Sequence, residues 1–293
     1  MKTIPILHIG QFEEEESLTD FYSNDLQSHL KKNEKIFYKP HRHNFFLCVL
    51  FTKGSGTHEI DFNTYTIQAG SVFFLKPGQT HYWKFDDTPR GYIFFHTQDF
   101  YELCFSEATL ARFPFYYSHK NPPHLTLTSD ELLLLEPLFQ EINLEYHRNL
   151  IYKKHKLAGL IHLAYIDLAR FYVTFEPSEQ LSSSVYLRTL SALESSIDQF
   201  YKTEKSAKFY ANELHISTKH LNRITKTTLN KTTTELITER VLLEAKRLIV
   251  HSENSLSAIS EILGYGDYAY FSRVFKSKTN STPLVFKRSY RSF

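Results

Sequence analysis

The 293-residue chain has only two cysteines, Cys48 and Cys104, which stand far apart and form no CxxC pair. That excludes a disulfide framework and a thiolate zinc site, and predicts two buried thiols in a reducing compartment. Long apolar runs are missing as well. The longest, Phe45–Phe51, is far short of the roughly 18 residues that a membrane-spanning helix needs. The N-terminal ten residues hold no apolar h-region and run straight into Glu13–Glu16, so no secretion signal is expected. These absences point to a cytoplasmic protein without membrane contact.

Charge is present but segregated. Residues 181–293 carry 17 basic and 10 acidic side chains, whereas residues 1–180 carry 17 and 22. A basic half suits a polyanionic partner. An excess of this size is also common on solvated surfaces, so the motifs must decide.

From Phe37 to about His96, short apolar runs alternate with the turn signals Lys53–Gly56, Asp61–Asn63, Ala69–Gly70, Pro77–Gly78 and Asp86–Gly91. Closely spaced strands of this kind predict an antiparallel sandwich or barrel. Beyond Pro122–Pro123 the spacing becomes helical. One helix is expected with Ser129 or Asp130 as N-cap and Leu132, Leu135, Leu138, Phe139, Ile142 and Tyr146 on one stripe. A second, over about Ile151–Val173, carries Leu157, Leu160, Ile161, Ala164, Leu168 and Phe171. Such stripes either pack on the β layer or form a dimer interface. The short polar stretch Glu176–Ser184, with one proline, reads as a linker. The expected division is a β-barrel over 1–125, a helical segment over 126–175, a linker over 176–188 and an all-α domain over 189–293. The fold class is therefore multi-domain α+β.

The last hundred residues contain an internal near-repeat. Leu221–Lys226 (LNRITK) matches Phe271–Lys276 (FSRVFK) at an offset of fifty, with Arg223 over Arg273, Lys226 over Lys276 and Ile224 over Val274. Each follows an N-cap candidate, Ser217 or Asp267, and each is preceded by a short helix, Ala207–Leu214 or Ser257–Leu263. The unit is helix, tight turn, helix, stated twice. In such a unit the second helix enters the DNA major groove and its N-terminal side chains reach base edges. On helices Ser217–Thr228 and Asp267–Lys278, Leu221, Ile224, Phe271, Val274 and Phe275 are expected inside. Ser217, Thr218, Lys219, His220, Asn222, Arg223, Lys226, Tyr268, Ala269, Tyr270, Ser272, Arg273 and Lys276 form the expected DNA-contacting set. An arginine fork bonds guanine at two points, while lysine suits phosphate. Thr234–Val250 lies between the units as a helical spacer, with Ile237, Val241, Leu242, Ala245 and Leu248 or Ile249 facing the core. Its length suits two reading helices set one turn of B-DNA apart.

In Ile259, Gly264–Tyr265, Asp267, Tyr270–Arg273, Phe275–Lys276 and Thr282–Pro283 the sequence resembles the AraC/XylS family of bacterial transcription activators. Ala211, Leu214, Ile216–Ser217, Leu221, Arg223 and Arg240–Leu248 fit the same pattern, so the resemblance covers about residues 190 to 290. Asn230 and Asn280 stand where the family has glycine, and Thr225 where it has phenylalanine. Asparagine still tolerates the left-handed turn, whereas Thr225 predicts a less firmly packed first unit. The resemblance implies a regulator of transcription, an activator that works with RNA polymerase, a homodimer, and double-stranded promoter DNA as partner.

Pro40–His43, Gly54–Gly56 and Gly70–His81 resemble the two cupin motifs found in the sensor domains of this family. The resemblance implies a small barrel with an effector site, for a sugar or another metabolite, at His41, His43, His81, Tyr65 and Trp83. His41, His43 and His81 are also the residues a cupin would offer a metal. The glutamate of that set is missing, with Leu47 and Cys48 in its place, so neither metal nor cofactor is expected, nor enzymatic activity. Two alternatives compete with an effector-controlled regulator. One is a metal-dependent cupin enzyme, a dioxygenase or isomerase, fused to a DNA-binding domain. The other is an effector-independent regulator acting through a protein partner.

Overall fold

A computed structural model describes residues 4–12, 18–33, 37–102, 104–105, 110, 113–117, 121–173 and 184–291. The chain divides into two compact units, one within residues 5–178 and one within 179–293.

The first unit is β-rich. In chain order it contains β1 (Ile6–Leu7), β2 (Phe21–Asp25), α1 (Leu26–Lys32), β3 (Arg42–His43), β4 (Phe46–Lys53), β5 (Gly56–Ile60), β6 (Asn63–Ile67), β7 (Ser71–Leu75), β8 (His81–Phe85) and β9 (Arg90–His96). The short helices α2 (Gln98–Glu102) and α3 (Pro114–Tyr117) follow, then β10 (His124–Thr126), α4 (Ser129–His147) and α5 (Lys153–Val173). Five strands form an antiparallel sheet in the order β10-β7-β4-β9-β2, and three form a second in the order β6-β5-β8. β1 pairs in parallel with β3, and a single bridge joins His41 to His81 of β8.

The two sheets share one core, with His58 of β5 against Phe73 of β7 at 4.6 Å and Phe85 of β8 against Phe51 of β4 at 6.2 Å. The apolar run in β4 is continuous because both faces of that strand are covered. Phe94, next to Cys48 in the ladder, meets Phe139 of α4 and Tyr165 of α5. The alternate face, with Phe95 and Phe45, looks toward the second sheet. Leu135, Phe139, Ile142, Leu157, Ile161, Ala164 and Leu168 join this same core, so α4 and α5 pack on the β layer. Leu132, Leu138, Leu160 and Phe171 are half-buried at its margin. Leu133, Leu134, Leu144 and Leu163 stay exposed.

Boundaries differ from the sequence reading in four places. The cap of α4 is Thr128, not Ser129 or Asp130, because Thr128 and Glu131 exchange both bonds of a capping box. β10 carries the β layer to Thr126, one residue past the expected edge, and α5 starts at Lys153. Helix α6 (Ser184–Phe200) begins inside the stretch expected as linker and crosses the expected boundary at 189, while residues 176–183 of that stretch lie outside the described residues. Cys48 is buried as expected, but Cys104 is only half-buried.

The second unit is all helix: α6, α7 (Ala207–Glu213), α8 (Thr218–Leu229), α9 (Thr233–His251), α10 (Leu256–Ile262), α11 (Tyr268–Thr279) and α12 (Pro283–Arg291). Leu193, Ile197, Tyr210, Leu221, Ile237, Val241, Ala245, Ile249, Ile259, Phe271 and Phe275 form its core around α9. Leu248, the alternative to Ile249 as a core residue, is half-buried.

Candidate nucleic-acid interface and sensor core

The N-terminal turn of each reading helix is built by its cap. Ser217 Oγ accepts the His220 N–H at 3.2 Å, and the Asp267 carboxylate accepts the Ala269 and Tyr270 N–H groups at 2.9 and 3.0 Å. Both helices end on an asparagine in the left-handed region, Asn230 at φ 51° and Asn280 at φ 57°, so the turns form without the glycines. The spacer α9 starts on a capping box between Thr232 and Glu235, and its 19 residues span about 28 Å at 1.5 Å each.

The repeat is not one fixed offset. The cap, first helix and tight turn of the two units match at forty-nine residues, Ser206 over Ser255 and His215 over Gly264, with both turn residues at positive φ. Ile216 and Tyr265 then donate in the same way, to Ala211 O and Ser260 O. The second turn holds one more residue, Gly266, before its cap, which restores the offset of fifty on the reading helices. Gly264 packs so closely on the chain after α6 that a Cβ there would lie 1.8 Å from Lys202 O.

Leu221, Ile224, Phe271 and Phe275 are buried, whereas Val274 is half-buried because α11 leans on the core through its two phenylalanines. Lys219, Arg223, Lys226, Ala269, Tyr270, Arg273 and Lys276 are exposed, and Thr218, His220, Tyr268 and Ser272 are half-buried. Arg223 donates to His220 Nδ1 at 2.8 Å. Asn222 is diverted, since its Oδ1 accepts the Thr233 N–H at 3.0 Å and so locks α8 to the start of α9. Thr225 is fully buried, and its hydroxyl bonds back to Asn222 O at 3.2 Å. Lys219, Asn222, Arg223, Lys226, Thr232 and Thr234 line an open groove of about 520 Å³ beside α8. Lys219 in the first turn, Arg223 mid-helix and Lys226 in the last turn give this groove a positive lining that suits anions.

In the β-rich unit His41, His43, His81 and Trp83 come together, with His81 at ring distances of 4.2, 5.2 and 5.5 Å from the other three. All four are buried. Tyr65 sits at the edge, half-buried against Phe73 and His124. The sequence reading missed His58, which lies opposite Trp83 in the β5-β8 ladder and bonds His81 Nδ1 through its own Nε2 at 2.9 Å. The alternation in GTHEI, with Thr57 and Glu59 on one face, is the signal that puts His58 beside Ile60 on the inner face. Burial lowers the pKa of His41 to about 4 and of His43 to about 3, and places those of His58 and His81 well below the usual histidine range. The imidazoles are therefore neutral at physiological pH. As a metal site the set does not fit. Among the described residues no three His, Cys, Asp or Glu side chains are arranged to hold an ion.

Comparison with known proteins agrees with this division. Residues 29–108 match the AraC-like ligand binding domain, and residues 210–289 match a helix-turn-helix domain. The HTH-type transcriptional activator RhaR of Enterobacter sp. (strain 638) is 23% identical over 278 residues, covering 93% of this chain and 96% of that protein. The HTH-type transcriptional regulator YfiF of Bacillus subtilis is 23% identical over 259 residues, 86% of this chain and 79% of that protein. The crystal structure of ToxT from Vibrio cholerae is similar over 92% of this chain and 98% of its own, at 14% identity and a TM-score of 0.42. With a ligand-binding domain ahead of two capped helix-turn-helix units, the chain belongs to the AraC/XylS family of DNA-binding transcriptional regulators.

Proposed function

We propose that the chain is a cytoplasmic one-component activator, not an enzyme, in which a small-molecule effector held in the β-rich unit controls how the helical unit engages promoter DNA. The observation that carries this reading is the pair of capped helices α8 and α11, each with an arginine and a lysine at matching exposed positions. Arg223 and Arg273 read base edges, and Lys219, Lys226 and Lys276 hold phosphates. Ser217, Thr218, His220, Tyr268, Ala269, Tyr270 and Ser272 face the DNA from the starts of α8 and α11, and Asn222 acts by fixing α8 against α9. The four buried rings His41, His43, His81 and Trp83, with Tyr65, line the effector site. RNA polymerase is the partner on the promoter. Leu133, Leu134 and Leu144, exposed on α4, support a homodimer formed through that helix.

The test is binding of the full-length protein to a duplex from its own upstream region and to an unrelated duplex, as salt is raised. The expected result is tighter binding to the upstream duplex and a steep linear fall of log affinity with log salt. Equal affinity for both duplexes at every salt concentration contradicts specific readout.

A further inference from the structure

The segment Tyr201–Lys205, between the end of α6 and the Ser206 cap of α7, touches both reading units and the spacer that joins them. Tyr201 is buried, with the Arg240 guanidinium of α9 4.1 Å from its ring centre, and Arg240 is bonded in turn to Asp198 of α6. Glu204 O accepts the Tyr210 hydroxyl of α7 at 2.8 Å, which fixes the segment to the first unit. Lys205 reaches the second. Its ammonium donates to Lys202 O at 3.1 Å and to Gly264 O at 3.3 Å, and lies 4.8 Å over the Tyr265 ring. Gly264 and Tyr265 belong to the tight turn between α10 and α11, and the Tyr265 ring meets Tyr270 and Phe271 of α11 at 5.9 and 5.3 Å. The contact thus ends on the reading helix.

The two turns differ where this segment touches the second. His215, at the place of Gly264, is exposed and carries a Cβ, whereas a Cβ on Gly264 would lie 1.8 Å from Lys202 O and 2.9 Å from Lys205 Nζ. Ile216 stands at the place of Tyr265, and an aliphatic side chain offers an ammonium no ring face. Both departures from the repeat serve the close approach of Lys202 and Lys205. With two of its three N–H groups committed to backbone carbonyls and its charge over a ring, the half-buried ammonium is turned into the unit.

We propose that Tyr201–Lys205 is a cross-brace between the two reading units, and that Lys205 is the positioning residue that sets the spacing and rotation at which α8 and α11 meet DNA. The assignment rests on the reading that both helices contact DNA, and adds to it the residue that fixes the interval between their contacts. The spacer α9 sets a distance, but a unit at either end can still swivel at its joint, residues 230–232 or 252–255. A second connection from the first unit to the second, separate from α9, removes that freedom. Lys205 closes this connection, because its ammonium is the group that bonds the turn ahead of α11. One base pair added between the two contacted sites moves them about 3.4 Å apart and turns them by about 35°. A braced pair of helices does not follow that change, and an unbraced pair does.

The experiment uses full-length protein and three duplexes made from its own upstream region. The first is the parent. The second has one base pair inserted midway between the positions at which Arg223→Ala and Arg273→Ala relax preference, and the third has the α11 site replaced. Wild-type protein should bind the inserted duplex roughly tenfold more weakly than the parent, the cost of one misplaced contact. Lys205→Met keeps the aliphatic stem and removes the ammonium. It should bind parent and inserted duplexes within about threefold of each other, because the second unit then follows its site. Lys205→Arg, which keeps the cation and its donors, should retain the wild-type discrimination. Tyr210→Phe cuts the other anchor, keeps the buried ring and should relax the spacing as Lys205→Met does. On the third duplex Lys205→Met and wild type should bind alike at every salt concentration, which also shows that the variant is folded. If Lys205→Met fails to fold, Tyr210→Phe and Lys205→Arg decide. Discrimination retained by Lys205→Met overturns the proposal and leaves the two-unit reading standing. So does an equal loss of affinity on all three duplexes with a salt slope lower by about one, the mark of a phosphate contact. Wild-type protein indifferent to the inserted pair also overturns it, and if Arg273→Ala is then without effect the two-unit reading falls with it.

Discussion

The two units of the chain treat their polar groups in opposite ways. The β-rich unit buries histidines inside and keeps them neutral, with His41 and His43 depressed to about 4 and 3. The helical unit turns Lys219, Arg223, Lys226, Arg273 and Lys276 outward and charged, and satisfies its helix starts with Ser206, Ser217, Thr232, Ser255 and Asp267. Buried imidazoles present ring nitrogens without charge, and exposed cations on capped helices suit a polyanion. The contrast is between polar groups buried and held neutral in the first unit and charges placed on capped helices in the second.

Acid should separate the units most sharply. For His29, His41, His43 and His96 the folded pKa values, about 3 to 4, lie below the 6.5 of an unperturbed histidine. The unfolded chain therefore binds more protons once pH falls below 6.5. Their contribution is complete above that pH and is lost as pH falls toward 4, on the order of 1 to 2 kcal/mol per histidine at pH 5. Trp83, the one tryptophan, lies in the β-rich unit and reports its unfolding by fluorescence. The expected outcome is a steep acid loss of the Trp83 signal while helical circular dichroism of the second unit persists. Simultaneous loss of both signals would erase the contrast.

Within the helical unit, the two repeats sharpen the comparison. Phe275 is fully buried in the core where the first repeat has Thr225, also fully buried. Phe275→Ala should lower unfolding stability by about 3 to 5 kcal/mol, and Thr225→Ala, which removes one hydrogen bond and a methyl, by about 1 kcal/mol, both measured in denaturant. Between these falls Gly264→Ala, with φ +75° and a Cβ 1.8 Å from Lys202 O, at about 2 to 4 kcal/mol. Equal costs for the two core variants would mean that the first repeat packs as firmly as the second.

Much of the helical unit is legible in its sequence because its signals are local. The i, i+3, i+4 spacing of Leu221, Ile224, Phe271 and Phe275 and the caps Ser217 and Asp267 need only their own helix. Features that depend on tertiary approach are not legible. Asn222 looks like a base-reading side chain until Thr233 is brought to it. The residue added at Gly266 is hidden because the repeat is most evident on the reading helices, after the turn that absorbs it. His58 carries a local signal in its alternation, but its meaning appears only when the β5-β8 register sets it against Trp83 and His81. The Thr128 cap was readable, since Thr128 and Glu131 have capping-box spacing, yet two polar neighbours compete with it.

The central claim, that both capped helices read DNA sequence, is tested most directly by measuring binding of Arg223→Ala and Arg273→Ala to the upstream duplex and to base-substituted versions of it. Each substitution should cost about 1 to 3 kcal/mol on the parent duplex and relax preference at its own base pair, two separate positions one helical turn apart. Binding that is unchanged by either substitution, or weakened equally on every sequence, would contradict base readout by these helices.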